Sequence, residues 1–91
     1  MDQLTICIPR VETHITKEYI SKKFDKLKLG DILQITDVPL KMDSDYKRVF
    51  IKMRWKPVTS QGEFIYKRLA GDENVKFVYD DPWYWKIVKS R

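Results

Sequence analysis

Tyr46-Lys47-Arg48-Val49-Phe50-Ile51-Lys52-Met53-Arg54-Trp55 alternates with a period of two from Arg48 onward. Val49, Ile51, Met53 and Trp55 fall on one side and Arg48, Phe50, Lys52 and Arg54 on the other, the pattern of a half-buried β-strand. The first side is apolar enough to bury against helices. The second sets cations around a single ring, an arrangement costly to bury and suited to an anionic partner carrying flat groups.

Working outward, residues 4–8 read as a first strand with Leu4, Ile6 and Ile8 inward, Thr5 and Cys7 outward, and Pro9 as its end. Thr16 is placed to cap a helix running to about Leu29, with Ile20, Phe24 and Leu27 as its core stripe and Gly30 as its stop. Residues 32–38 form the next strand, closed by Pro39, with an inward face uncertain by one residue. The polar run 41–45 reads as a hairpin loop, which makes the second and third strands antiparallel neighbours. Ser60 and Glu63 form a capping box for a short helix from about Gln61, with Ile65 and Leu69 inward and Gly71 as its end. A fourth strand spans 75–79, with Val75 and Phe77 on one face. This order is the ferredoxin-like split βαβ pattern (βαββαβ): an α+β fold with a four-stranded antiparallel sheet and both helices on one face. The other face stays open, with Cys7 beside Arg48, Phe50, Lys52 and Arg54.

At 91 residues and 43% hydrophobic content the chain is one domain with one modest core. The net charge of +5 biases it towards anionic partners. Lone Cys7 excludes an internal disulfide framework and a cysteine-based zinc cluster, and it weakly indicates a reducing compartment. No apolar run approaches membrane-spanning length, and the start lacks a signal peptide's basic and apolar regions. The expectation is an intracellular protein, cytoplasmic or nuclear, with no membrane, cofactor or metal. His14 has no second histidine, and neither Asp43 with Asp45 nor Asp80 with Asp81 has calcium-loop spacing. Lys22, Lys23, Lys26 and Lys28 read as the solvated side of the first helix.

Ile6-Cys7-Ile8-Pro9-Arg10-Val11 and Arg48-Val49-Phe50-Ile51-Lys52-Met53 resemble the two signatures of the RNA recognition motif (RRM). Ile20, Phe24, Gly30, Ile32 and Ile35 follow that family's helix-to-strand order, and Leu69-Ala70-Gly71 is similar to its second-helix ending. The resemblance covers about residues 4–79. It implies single-stranded RNA as partner, bound by bases stacked on rings of the first and third strands. Those positions here hold Cys7, Arg48 and Phe50, of which Phe50 alone keeps a ring, while Arg48 can stack its guanidinium plane. Lys47 and Val49 replace the second signature's glycines. The implied function is a small nucleic-acid-binding module with weak sequence preference; the alternative is a protein-interaction module that kept the scaffold and lost that face. An acylphosphatase-like enzyme is not expected, because the loop after the first strand has no glycine to wrap a phosphate.

Residues 80–91 read as an aromatic, basic extension to a 1–79 domain, packed on or beside the sheet. Three readings stay open for its rings. Trp83 or Trp85 folds over the open face as a stacking platform, with Lys86, Lys89 and Arg91 neutralising phosphates. Alternatively the rings cap a core edge. In the third reading Trp83, Tyr84 and Trp85 form a patch for a protein partner. The ending Tyr-Asp-Asp-Pro-Trp-Tyr-Trp-Lys also resembles small uncharacterised proteins of large DNA viruses, which implies a virion or an infected host cell. The candidate interface is therefore Cys7, Arg48, Phe50, Lys52, Arg54, Trp83, Trp85 and Lys86.

Overall fold

In a computed structural model that describes residues 3–90, the chain runs β1 (Gln3–Glu12), α1 (Lys17–Asp25), β2 (Gly30–Leu40), β3 (Asp43–Trp55), α2 (Ser60–Ala70), β4 (Val75–Asp80) and β5 (Trp83–Lys89). The strands form one five-stranded sheet in the order β2-β3-β1-β5-β4, and every neighbouring pair is antiparallel. The four-stranded, ferredoxin-like sheet expected from the sequence is therefore incorrect. The place beside β1 belongs to β5, and β4 lies one position further out, running in the same direction as β1. The physical reason is in residues 83–89, where Trp83, Trp85 and Ile87 alternate with Tyr84, Lys86 and Val88. That is a strand pattern, and the short Asp81-Pro82 turn obliges it to fold back against β4.

β3 alternates as its sequence dictates, with Val49, Ile51, Met53 and Trp55 all essentially inaccessible. They share one core with Ile6 and Ile8 of β1, Ile20 and Phe24 of α1, Ile65 and Leu69 of α2, and Trp85 and Ile87 of β5. An aromatic column ties α1 to the added strands. Phe24 stacks on Phe77 at 4.7 Å, Phe77 on Trp85 at 5.8 Å and Trp85 on Tyr79 at 4.1 Å, with Tyr19 edge-on to the last two rings. Lys47 is buried but satisfied. Its ammonium donates to the Ile15 carbonyl at 2.6 Å and to Asp37 at 3.0 Å, which pins the β1–α1 loop to the β2–β3 hairpin.

Several boundaries differ from the sequence expectation. Pro9 does not end β1; the strand continues to Glu12 across an irregularity between Ile8 and Val11, where a residue without an N–H is tolerated. The Thr16 hydroxyl accepts from the Tyr19 amide at 3.1 Å, but α1 stops at Asp25, and Lys28 adopts the left-handed conformation expected of Gly30. Gly30 instead opens β2 at a φ of +142°. A Cβ there would lie 2.2 Å from the Arg54 carbonyl oxygen, so its value is close passage along β3. Thr59 rather than Ser60 caps α2, accepting from the Gly62 amide at 2.9 Å. β2 and β3 pair as a hairpin, with a slip between Ile32 and Gln34 that leaves Ile32 and Ile35 half-buried and Leu33 exposed.

Ile51→Ala is expected to cost about 2–4 kcal/mol, because it empties a site at the centre of the core, whereas Lys52→Ala stays within about 0.5 kcal/mol. Denaturant melts of the two variants check this; equal losses would exchange the buried and open faces of β3.

Candidate nucleic-acid interface

Opposed residues of antiparallel strands share a face, so the registers assemble the open side of the sheet row by row. Thr36, Phe50, Cys7 and Val88 form a row across β2, β3, β1 and β5. One step along, Gln34, Lys52 and Thr5 align, and beyond them Asp31 lies opposite Arg54, itself opposite Gln3. On the far side of Phe50, Arg48 pairs with Val38. β5 and β4 extend the face with Lys86 opposite Lys76 and Tyr84 opposite Val78.

Electrostatically the face is one-sided. Arg48, Lys52, Arg54, Lys76 and Lys86 are exposed, and none is in an ion pair among the described residues. Asp31 is the one carboxylate among these paired residues. The Lys76 ammonium lies 4.9 Å from the centre of the Tyr84 ring, so this second ring of the face is already accompanied by a cation. At the centre a shallow depression of about 440 Å³ is lined by Cys7, Pro9, Arg48, Phe50, Val88, Lys89 and Ser90. Half-buried Phe50 forms one wall and Cys7 sits among these residues at 7% exposure, so the sulfur is part of the floor. Burial pushes the Cys7 thiol up from its ordinary pKa, and the nearby Arg48 charge partly offsets that rise.

The structure thus brings Cys7, Arg48, Phe50, Lys52, Arg54 and Lys86 to one face and takes the two tryptophans away from it. Trp85 is 3% exposed within the core, on the helix side, stacked on Tyr79. It cannot serve as a platform on the open face. Trp83 is exposed at 64%, but it lines a cleft with Tyr19 and Tyr79 rather than the open sheet. Period-two alternation also separates Tyr84 from its neighbours, so Trp83, Tyr84 and Trp85 do not form one patch for a protein partner. Arg91 lies outside the described residues. Lys76, Tyr84 and Val88 were not among the expected site residues, and the alternation of residues 83–89 was the signal that would have found the last two. No helix among the described residues is long and apolar enough to cross a membrane.

At pH 8 the thiol of Cys7 is expected to react with a small disulfide reagent several-fold more slowly than in the denatured chain, since it is both covered and less ionised. Stopped-flow labelling with and without denaturant checks this; equal rates would remove Cys7 from the floor of the depression. Comparison of the chain with protein-family models, with curated proteins and with solved structures finds no match in any of the three, so the character of this face is read from its own geometry.

Proposed function

We propose that the open sheet face binds single-stranded nucleic acid, RNA in the first instance, with little sequence preference. The observation that carries this reading is the set of cations around Phe50, without ion-pair partners among the described residues, on a face where Asp31 is the one carboxylate in the rows from Arg48 to Arg54 and Glu12, opposite Tyr46, lies beyond them. Cations left without carboxylate partners on a pleated surface are available to phosphates, and a half-buried ring between them offers a base a flat apolar contact. Same-face residues along β3 stand about 6.7 Å apart, so Arg48 to Arg54 form a track of roughly 20 Å. Arg48 contributes a guanidinium plane as well as charge. The preference for RNA over DNA follows the resemblance to the RNA recognition motif, and its free cysteine suits a reducing, intracellular compartment.

Titration of short single-stranded RNA into isotope-labelled protein at low salt is expected to move the amides of Cys7, Arg48, Phe50 and Lys52, with single-stranded DNA as a parallel arm. A sheet face that stays silent at high RNA concentration overturns the proposal and leaves a protein-interaction role on the same scaffold. Salt dependence divides the labour. About four phosphate contacts give a log–log slope near −3, which Lys52→Ala or Arg54→Ala flattens. Phe50→Ala removes about 1–3 kcal/mol and leaves the slope unchanged, because the ring carries no charge. If Phe50→Ala leaves affinity untouched, the face is a basic surface without base stacking.

A further inference from the structure

The sheet is not closed along its length. β1 pairs with β5 through Ile6–Lys89 and Cys7–Val88, while its far half and the start of β5 part company. The space between them opens at the end of the sheet as a cleft of about 630 Å³, a volume within the range of small-molecule sites. Its walls carry Tyr19, Tyr46, Tyr79 and Trp83, together with the carboxylates of Glu12 and Asp80. Among the described residues no lysine or arginine lines it, and its one basic side chain is His14, whose Nε2 lies 3.9 Å from Glu12 Oε2.

We propose that this cleft binds an alkylated ammonium head group. Aromatic faces attract cations through the ring quadrupole, and a fully alkylated ammonium is weakly hydrated and carries no N–H, so it leaves water readily and needs no hydrogen-bond acceptor. The two carboxylates supply the compensating charge, Asp80 in full and Glu12 in part, since Glu12 also faces His14. Glu12 is held in place: its Oε1 accepts the Tyr79 hydroxyl at 3.2 Å across the gap. The Tyr79 phenol is pushed up to about 12, by burial first and by Glu12 next, in keeping with its role as the donor to that carboxylate. Two of the rings already attend to cations from outside the cleft. The Arg10 guanidinium lies 4.2 Å from the centre of the Tyr46 ring while bound to Asp43, and the Lys23 ammonium lies 5.2 Å from that of Tyr19. Trp83, 64% exposed at the rim, has no such neighbour among the described residues and is the ring most open to a ligand.

The probe is choline, set against 3,3-dimethylbutan-1-ol, its uncharged isostere, with the full chain isotope-labelled. Choline is expected to give saturable shifts at Tyr46, Tyr79, Asp80 and the Trp83 indole, with affinity about tenfold or more above that of the alcohol. Trp83→Ala and Asp80→Asn, both at exposed positions, each weaken choline by several-fold, while Glu12→Gln keeps an acceptor for Tyr79 and tests the charge alone. A trimethyllysine peptide serves as a further arm: tighter binding than choline assigns the head group to a protein chain, and equal affinity to a free molecule, either result supporting the site. Equal response to choline and the alcohol, or shifts confined to Phe50 and Lys52 away from the cleft, would overturn it, as would no saturable shift at high millimolar choline.

Discussion

β1 is paired with β3 along nearly its whole length but with β5 at two positions, and both surfaces of the molecule follow from that imbalance. The irregularity between Ile8 and Val11 begins one residue past Cys7, the last residue that β5 pairs. A bulge bends its strand and increases the local twist, and Pro9 has no N–H to offer a neighbour on either side. β1 therefore turns away from β5 as soon as the bulge begins. Before that point the sheet is continuous, and the row Thr36, Phe50, Cys7, Val88 can form; after it the aromatic cleft opens, bridged by Tyr79 and Glu12.

The burial of Trp85 decides where the last strand goes. An indole laid over an open sheet would keep much of its surface in water, whereas between Tyr79 and Phe77 it is almost wholly removed from it. Burial of a large apolar side chain is worth about 1.5–3 kcal/mol, and stacked rings add about 0.5–1.5 kcal/mol beyond their area. Against this stands the Trp85 Nε1–H, buried without a partner among the described residues, at a cost of about 1–3 kcal/mol. Ile87 tips the balance on the same face, 1% exposed, and the strand also covers an edge of β1 that would otherwise present unpaired backbone groups.

Where local chemistry and tertiary packing agree, the sequence was legible. The alternation of β3, the Thr16 cap and the inward set of Ile6, Ile8, Ile20, Phe24, Ile65 and Leu69 are all as their residue types demand. The exchange of roles at the end of α1 was not legible, because Lys28 adopts a positive φ against its intrinsic preference so that Gly30 can pass close to Arg54. Pro9 read as a terminator because a bulge cannot be told from a strand end without its partner strand. β5 is concealed for another reason: its alternation is plain, but residues 80–91 follow a stretch that already reads as a complete four-stranded domain. Of the candidate site, the members on β1 and β3 were readable from one strand at a time. Tyr84 and Val88 follow from the alternation of β5, and Lys76 needs the order of the sheet.

That order also fixes which chemistry each side can carry. A one-residue slip of β5 would turn Trp83, Trp85 and Ile87 to the open face and drive Tyr84, Lys86 and Val88 into the core. Lys86 would then lose its water without a carboxylate to meet it, a penalty of several kcal/mol, while two large apolar side chains would be exposed. The register is thus set by the same residues that separate the two surfaces. Lys86 and Lys76 extend the basic field of Arg48, Lys52 and Arg54 across β5 and β4, while Trp85 is committed to the helix side. At physiological salt, fields between exposed charges fade over about 8 Å. The acidic, aromatic cleft and the basic sheet face can therefore coexist in one small domain: they adjoin on β3, where Tyr46 at the cleft is two residues from Arg48, and on β5 the period of the strand parts Trp83 from Tyr84 and Lys86.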